Sequence, residues 1–323
     1  MTTKVVYYSL ARQALKEALL LAGVSAGDSV VVPALICKDV LLPIESLGAS
    51  VSFYEVDKFL QPIGLTNIDR AKAIIAVNYF GFAQDLTPFV ELGRRLNAVI
   101  IEDNAHGFLS SDRTGQLLGT RTEVGITSIR KTLRIPNGAS LSINNESFQT
   151  RAPLQLEPSN DRLGIRFLTT HFASSVQRTT KLPLLRLLQM FTRLLRRLAT
   201  GSILPIYNHE RELASVASTP PSQYSLKVIE RIAEHREIAR RRKLYNKIEK
   251  IVGSTDVKPV FNQLPDHCTP YGFPFYASPV VAKQFSKSCR KFGVEVIHWP
   301  DLPDQVSGSA PDFYKNLWLV NFL

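Results

Sequence analysis

The chain has 323 residues, 45% of them hydrophobic and 21% charged, with a formal net charge of +11. A chain this long and this apolar buries a large core and exceeds the size at which single cores stop growing, which excludes a disordered polymer and favours more than one structural unit. The positive excess is concentrated in residues 178–197 and 231–250 and favours anionic partners: nucleic acid, an acidic membrane or phosphorylated small molecules.

Residues 11–22 read as a helix, with Ala14, Leu15, Ala18, Leu19 and Ala22 at helical spacing and Gly23 as a stop. A short buried strand follows at 29–33, a helix at 38–47 closed by Gly48, and an alternating strand at 50–56. Residues 73–77 form a continuous apolar strand, 87–96 a helix, and 98–102 another buried strand. Strands alternating with helices predict an α/β fold with a mainly parallel sheet, whose ligands sit beyond the carboxyl ends of the strands. Two such ends turn polar, at Val77-Asn78-Tyr79 and at Glu102-Asp103-Asn104-Ala105-His106. Beyond residue 151 the pattern loosens into a basic amphipathic stretch at 181–199 and a linker at 218–222. A long charged helix at 225–251, broken once, and a small α+β unit follow; the unit has strands at 271–276 and 294–299 around a helix at 279–292. The expected division is 1–225 and 226–323.

Cys37, Cys268 and Cys289 fit neither a disulfide framework nor a zinc spacing, and a reducing cytoplasm is the expected compartment. The first residues carry no apolar core of a signal peptide, and no apolar run reaches the ~18–20 residues of a membrane span. No helix-turn-helix, RNA-recognition or zinc motif supports nucleic-acid binding. The Leu-rich, Arg-faced stretch 178–197 allows contact with an anionic membrane, but an inserted helix packing on the protein is the expected reading.

The order of the motifs carries more than their composition. The segment Ile100-Ile-Glu-Asp-Asn-Ala-His106 resembles the strand-end signature of the DegT/DnrJ/EryC1/StrS sugar aminotransferases. Gly125-Ile-Thr-Ser-Ile-Arg-Lys131, followed by Pro136-Asn-Gly-Ala139, is similar to that family's lysine-bearing segment and the turn after it. Ser9-Leu-Ala-Arg-Gln-Ala-Leu15 stands at the family's phosphate-binding helix start, and residues 24–33 match its following Gly-Asp and Val-x-Val-Pro pattern. Ile238-Ala-Arg-Arg-Arg-Lys-Leu-Tyr245 resembles the basic helix joining the family's two domains.

The resemblance implies a pyridoxal 5'-phosphate (PLP) enzyme of fold type I, a large α/β domain with a small C-terminal α+β domain. Lys131 would hold the cofactor aldehyde and shuttle a proton. Asp103 would keep the pyridine nitrogen protonated, and His106 would flank the ring. Arg12, Gln13 and Ser128 would bind the phosphate, with Ser225 completing that site from the partner of a homodimer. The implied substrates are an amino-acid donor, glutamate, and a keto-sugar acceptor, nucleotide-linked, in surface-polysaccharide or modified-sugar biosynthesis. No metal is implied. Taken singly, each residue also has a plainer reading: Asp103 as a helix cap, Lys131 and Arg12 as solvated surface groups, His106 as a packed turn histidine, and Cys37 as a small buried thiol where relatives place an aromatic. The short Ser128–Lys131 spacing and the adjacent Arg130 depart from the family pattern. Other PLP chemistry on the same fold, and a non-catalytic scaffold, are the rival readings; the presence of Lys131 argues against a lysine-free dehydratase.

Overall fold

The computed structural model describes residues 2–151, 153, 156, 164, 165, 167–169, 216–253 and 255–323. The basic stretch 178–197, with its expected helix and membrane contact, lies outside these residues.

Two sheets organise the described chain. The large one has eight strands in the order β1-β8-β7-β6-β5-β2-β3-β4. Its strands are β1 (Lys4–Tyr8), β2 (Ser29–Pro33), β3 (Ser50–Val56), β4 (Pro62–Ile63), β5 (Ala73–Val77), β6 (Val99–Asn104), β7 (Val124–Thr127) and β8 (Ala139–Ile143). The run from β7 through β6, β5 and β2 to β3 is parallel, and β1, β8 and β4 join antiparallel at the edges. Every residue of β2, β5, β7 and β8 is buried, which is why these segments read as unbroken apolar or small-residue runs rather than as alternating ones.

The helices form where the sequence punctuates them. Helix α1 (Ala11–Leu21) buries Ala14, Leu15, Ala18 and Leu19 along one face, and Gly23 turns the chain at φ +76°. Residues 38–46 form a short 3-10 turn followed by α2 (Leu41–Ser46). Helix α3 (Thr87–Leu96) starts with Pro88 in its first turn and ends on Asn97 in the left-handed conformation. The expected α/β fold with a mainly parallel sheet is the fold observed.

Helix α4 (Glu146–Gln149) follows β8, and beyond residue 169 the described chain resumes at residue 216. The helical stretch expected at 225–251 is two helices, α5 (Gln223–Glu230) and α6 (Glu234–Val252), separated at residues 231–233. The small sheet has the order β11-β12-β10-β9, with β9 (Lys258–Pro259), β10 (Gly272–Tyr276), β11 (Glu295–His298) and β12 (Leu317–Asn321), all antiparallel. Helix α7 (Pro279–Cys289), N-capped by Ser278, connects β10 to β11.

Two sequence expectations change. The linker expected at 218–222 is packed down: Gln13 Nε2 donates to the carbonyl of the preceding Ala217 at 2.8 Å, Ser9 N–H to the Thr219 carbonyl at 2.9 Å, and Ser222 is fully buried. The C-terminal residues, which carried no strand assignment, form β12, an inner strand of the small sheet with Leu317, Leu319 and Val320 buried. Its pairing partners lie about 20 and 45 residues upstream, a separation that local periodicity cannot register.

Candidate active site

The site forms where β5, β6 and β7 end side by side. Their register aligns Val77, Asp103 and Ile126, and Asn78 N–H donates to the Asp103 carbonyl at 2.9 Å. Successive side chains on a strand point to opposite faces, so the neighbours Glu102 and Asp103 part company. Glu102 is a structural acid: it meets Arg121 at 2.7 Å and accepts from Asn78 Nδ2 at 2.8 Å and from Arg121 N–H at 3.0 Å. Asp103 lies within electrostatic reach of Lys131. Its carboxyl is buried and accepts Ala105 N–H at 2.8 Å. Burial pushes its pKa up, and the Ala105 hydrogen bond and the Lys131 charge offset this only in part.

Lys131 ends a 3-10 turn, Ile129–Lys131, that follows β7 directly, with Lys131 N–H donating to the Ser128 carbonyl at 3.1 Å. Ile129, Leu133 and Ile135 pin this turn beneath Tyr224, Val228 and Ile229 of α5. Lys131 Nζ lies 3.2 Å from His106 Nε2. His106 is itself clamped: Tyr271 stacks on it at 4.5 Å and 2°, Phe80 lies parallel at 5.5 Å, and Trp299 meets its edge at 5.6 Å. Phe80 holds an uncommon φ of +56° for a side-chain-bearing residue. In that conformation its N–H reaches His106 Nδ1 at 3.4 Å and its carbonyl accepts Tyr271 N–H at 2.8 Å. The two ring nitrogens thus face the Phe80 N–H and Lys131 Nζ. Burial and the Lys131 charge hold the imidazole well below its usual pKa.

The structure therefore brings Asp103, His106 and Lys131 together, with Ser128 buried at the foot of the lysine turn. Arg12, in the first turn of α1, pairs with Asp39 at 3.5 Å. Gln13 is placed otherwise: its buried amide donates to Ala217 and Thr219 and accepts from Leu10 N–H, which commits the side chain to holding residues 217–219. Ser225 is likewise committed within its own subunit, donating to Asn137 Oδ1 at 2.8 Å and bonding Ser222 Oγ at 2.9 Å. Cys37 is a half-buried free thiol whose pKa burial pushes up, with Lys131 and Asp103 close enough to act on it.

Three contributors went unassigned in the sequence: Phe80, Tyr271 and Arg241. Arg241 is fully buried and donates to the carbonyls of Thr132, Pro270 and Tyr271, at 2.5, 3.2 and 2.9 Å. One guanidinium thus ties the lysine turn to the tyrosine that stacks on His106. The only sequence signal was the basic run at 240–242, which does not say which arginine faces inward.

A cleft of about 790 Å³ opens elsewhere, lined among others by Gln84, Arg94, Asp112, Arg121 and His267, and it contains none of the residues expected to hold a cofactor. The chemistry favours the Lys131 centre instead. It combines an amine, a buried carboxyl short of positive charge and a neutral imidazole with a guanidinium, Arg130, whose Nε is buried without an acceptor. That donor set fits a planar, phosphorylated aldehyde with a basic ring nitrogen.

The fold and site define the class: an α/β protein with the architecture of PLP-dependent sugar aminotransferases. Two solved structures illustrate it. The sugar aminotransferase CalS13 of Micromonospora echinospora superposes with a TM-score of 0.61 at 17% identity, over 98% of this chain and 82% of that one. GDP-4-keto-6-deoxy-D-mannose-3-dehydratase of E. coli, with bound hydrated PLP, gives 0.59 at 16%, over 98% and 82%. The model of the DegT/DnrJ/EryC1/StrS aminotransferase family matches residues 2–154, which bears out the resemblance carried by the motifs in that stretch. GDP-perosamine synthase of Escherichia coli O157:H7 is 30% identical over 145 residues, 43% of this chain and 40% of the relative. UDP-4-amino-4-deoxy-L-arabinose–oxoglutarate aminotransferase of Shewanella sediminis is 33% identical over 106 residues, 31% and 27% of the two chains. The alignments thus span well under half the length of these curated relatives. Among the described residues no helix is long and apolar enough to cross a membrane, and no cluster of residues could hold a metal ion.

Proposed function

We propose that this protein is a PLP-dependent aminotransferase that moves an amino group from an amino acid, glutamate, to a keto-sugar carried on a nucleotide. The observation that carries the reading is the convergence of Lys131 and His106, 3.2 Å apart, beside the buried Asp103. The nucleotide-sugar names of the two curated relatives support the acceptor class, and the oxoglutarate in one of those names supports glutamate as donor.

When bound, the cofactor supplies an electron sink for the substrate carbon. Lys131 Nζ is the amine that would hold the cofactor's aldehyde, and it is the group that would then carry a proton at the reacting carbon. Asp103, a carboxyl that burial destabilises in its charged form, would be relieved by a protonated ring nitrogen and would keep that nitrogen protonated. His106, locked by Phe80 and Tyr271, orients the amine and excludes water from one side of the site. Arg12 and Ser128 would contact the cofactor's phosphate. The chain works as a cytoplasmic homodimer of subunits divided into residues 1–225 and 226–323, in surface-polysaccharide or modified-sugar biosynthesis.

The test is the near-visible absorbance of the purified protein with PLP, wild type beside Lys131→Ala, followed by L-glutamate. A lysine-dependent band that glutamate bleaches is the expected result. A band that glutamate leaves unchanged moves the assignment to another donor or to another PLP reaction, such as the dehydration named for the E. coli neighbour. The absence of any wild-type band refutes the catalytic reading.

A further inference from the structure

Arg130 immediately precedes Lys131 in the 3-10 turn, its own N–H donating to the Gly138 carbonyl at 3.0 Å. Its Nε is buried, and no acceptor meets it. A buried guanidinium N–H without an acceptor loses its hydration and gains nothing in return. The environment aggravates the cost. Burial and the neighbouring Arg12 both act to lower the pKa of Arg130, more than the opposing Tyr271 and Asp39 can offset. Asp39 gives little compensation, because it is bound to Arg12 and its side chain is 58% exposed, where water screens it. Arg12 stands in the first turn of α1, where the helix dipole adds to the positive potential.

A guanidinium with a buried donor left over, near enough to Arg12 for the two charges to act on each other, describes half of an ion pair. We propose that Arg130 is the principal anion-binding residue of this site and, together with Arg12, seats a phosphate monoester dianion. Two guanidiniums and a helix N-terminus match a dianion better than a singly charged carboxylate, and a planar guanidinium offers phosphate oxygens paired N–H donors. The inference rests on the reading of Lys131 as the cofactor lysine, which makes the phosphate that of PLP. It moves the principal anion contact from Gln13, whose side chain is occupied elsewhere, to Arg130, which departs from the family pattern beside the lysine.

The test titrates the full-length protein with PLP and, separately, with pyridoxal, which has the same aldehyde and ring but no phosphate. Wild type, Arg130→Gln and Arg130→Lys are compared, with far-UV circular dichroism as the folding control. Loss of a charge-assisted hydrogen bond predicts PLP binding about 10- to 100-fold weaker in R130Q, an intermediate loss in R130K, and pyridoxal affinity changed by less than about twofold. Line-broadening of inorganic phosphate in ³¹P spectra is expected with wild type and lost with R130Q. Equal weakening of PLP and pyridoxal, or an unchanged PLP affinity, overturns the proposal. The phosphate measurement needs no cofactor. If wild type forms no lysine-dependent band yet broadens the phosphate signal through Arg130, the function is wrong and the anion seat stands; if it forms the band and R130Q discriminates nothing, the seat alone is wrong.

Discussion

Replacing Arg241 by Met keeps the length of the side chain and removes its charge and donors. In the fold, Arg241 is fully buried and its Nε meets Glu237 Oε1 at 2.7 Å, while its terminal nitrogens satisfy three backbone carbonyls. Desolvation lowers its pKa to about 10, with Glu237 opposing the shift. Removing one partner of a buried ion pair costs about 3–5 kcal/mol, because the carboxylate and carbonyls left behind stay desolvated without a donor. A domain's whole stability is about 5–15 kcal/mol, so the expected effect is a large drop in the urea midpoint. Two companion variants calibrate the result. Arg240→Ala removes a residue that also binds Glu237, but with a side chain 42% exposed, and should cost less than about 1 kcal/mol. Glu237→Gln keeps an acceptor for Arg241 Nε and should fall between the two. Because Arg241 also joins the Thr132 and Tyr271 carbonyls, R241M is expected to weaken PLP binding under conditions where it remains folded. An R241M midpoint within about 0.5 kcal/mol of R240A would refute this account of the buried guanidinium.

The pH dependence of the cofactor-free protein should carry the signature of Asp103. Its folded pKa lies above the unfolded one, so its contribution is unfavourable at neutral pH and fades as pH falls through the raised value. Asp103→Asn should therefore stabilise the cofactor-free protein at pH 7 by on the order of 1 kcal/mol, lose that advantage in acid, and abolish the lysine-dependent absorbance; urea melts between pH 7 and 4 check the sign. Gly125→Ala should destabilise by about 1–3 kcal/mol, since its Cβ would stand 2.1 Å from the Gly119 carbonyl oxygen and 2.7 Å from Gly119 Cα, backbone atoms that cannot rotate aside. Gly253→Ala, in open space with an ordinary φ of −57°, is the matched control and should leave the melt unchanged.

Much of the large sheet was legible in the sequence because its strands are buried on both faces and separated by helices with clear stops. Residues 29–33, 50–56 and 73–77 have the same bounds in both readings, while β6 runs two residues beyond the expected end, carrying Asp103 and Asn104. That extension follows from pairing, with Asp103 and Asn104 held by the register to β7, and pairing is not a local property. Strands β7 and β8 went unassigned because those segments are short and carry serine, threonine and glycine among their apolar residues, and β1 because its five residues at the start of the chain have no neighbouring punctuation to frame them.

The sequence by itself determined which chemistry was within reach: a lysine, a strand-end aspartate and a histidine in the order and spacing of a known family. Only the tertiary structure decided how those groups are held. It separated Glu102 from Asp103 by the pleat of one strand, and turned Gln13 and Ser225 inward to bind backbone and Asn137. It brought Tyr271 and Arg241, well over a hundred residues from Lys131, onto its neighbours His106 and Thr132. The physical reason is that residue identity sets what a group can donate, accept or ionise. Burial, partner distance and the company of other charges set which of those capacities is spent on the fold and which is left for a ligand, and these depend on contacts that no stretch of sequence contains.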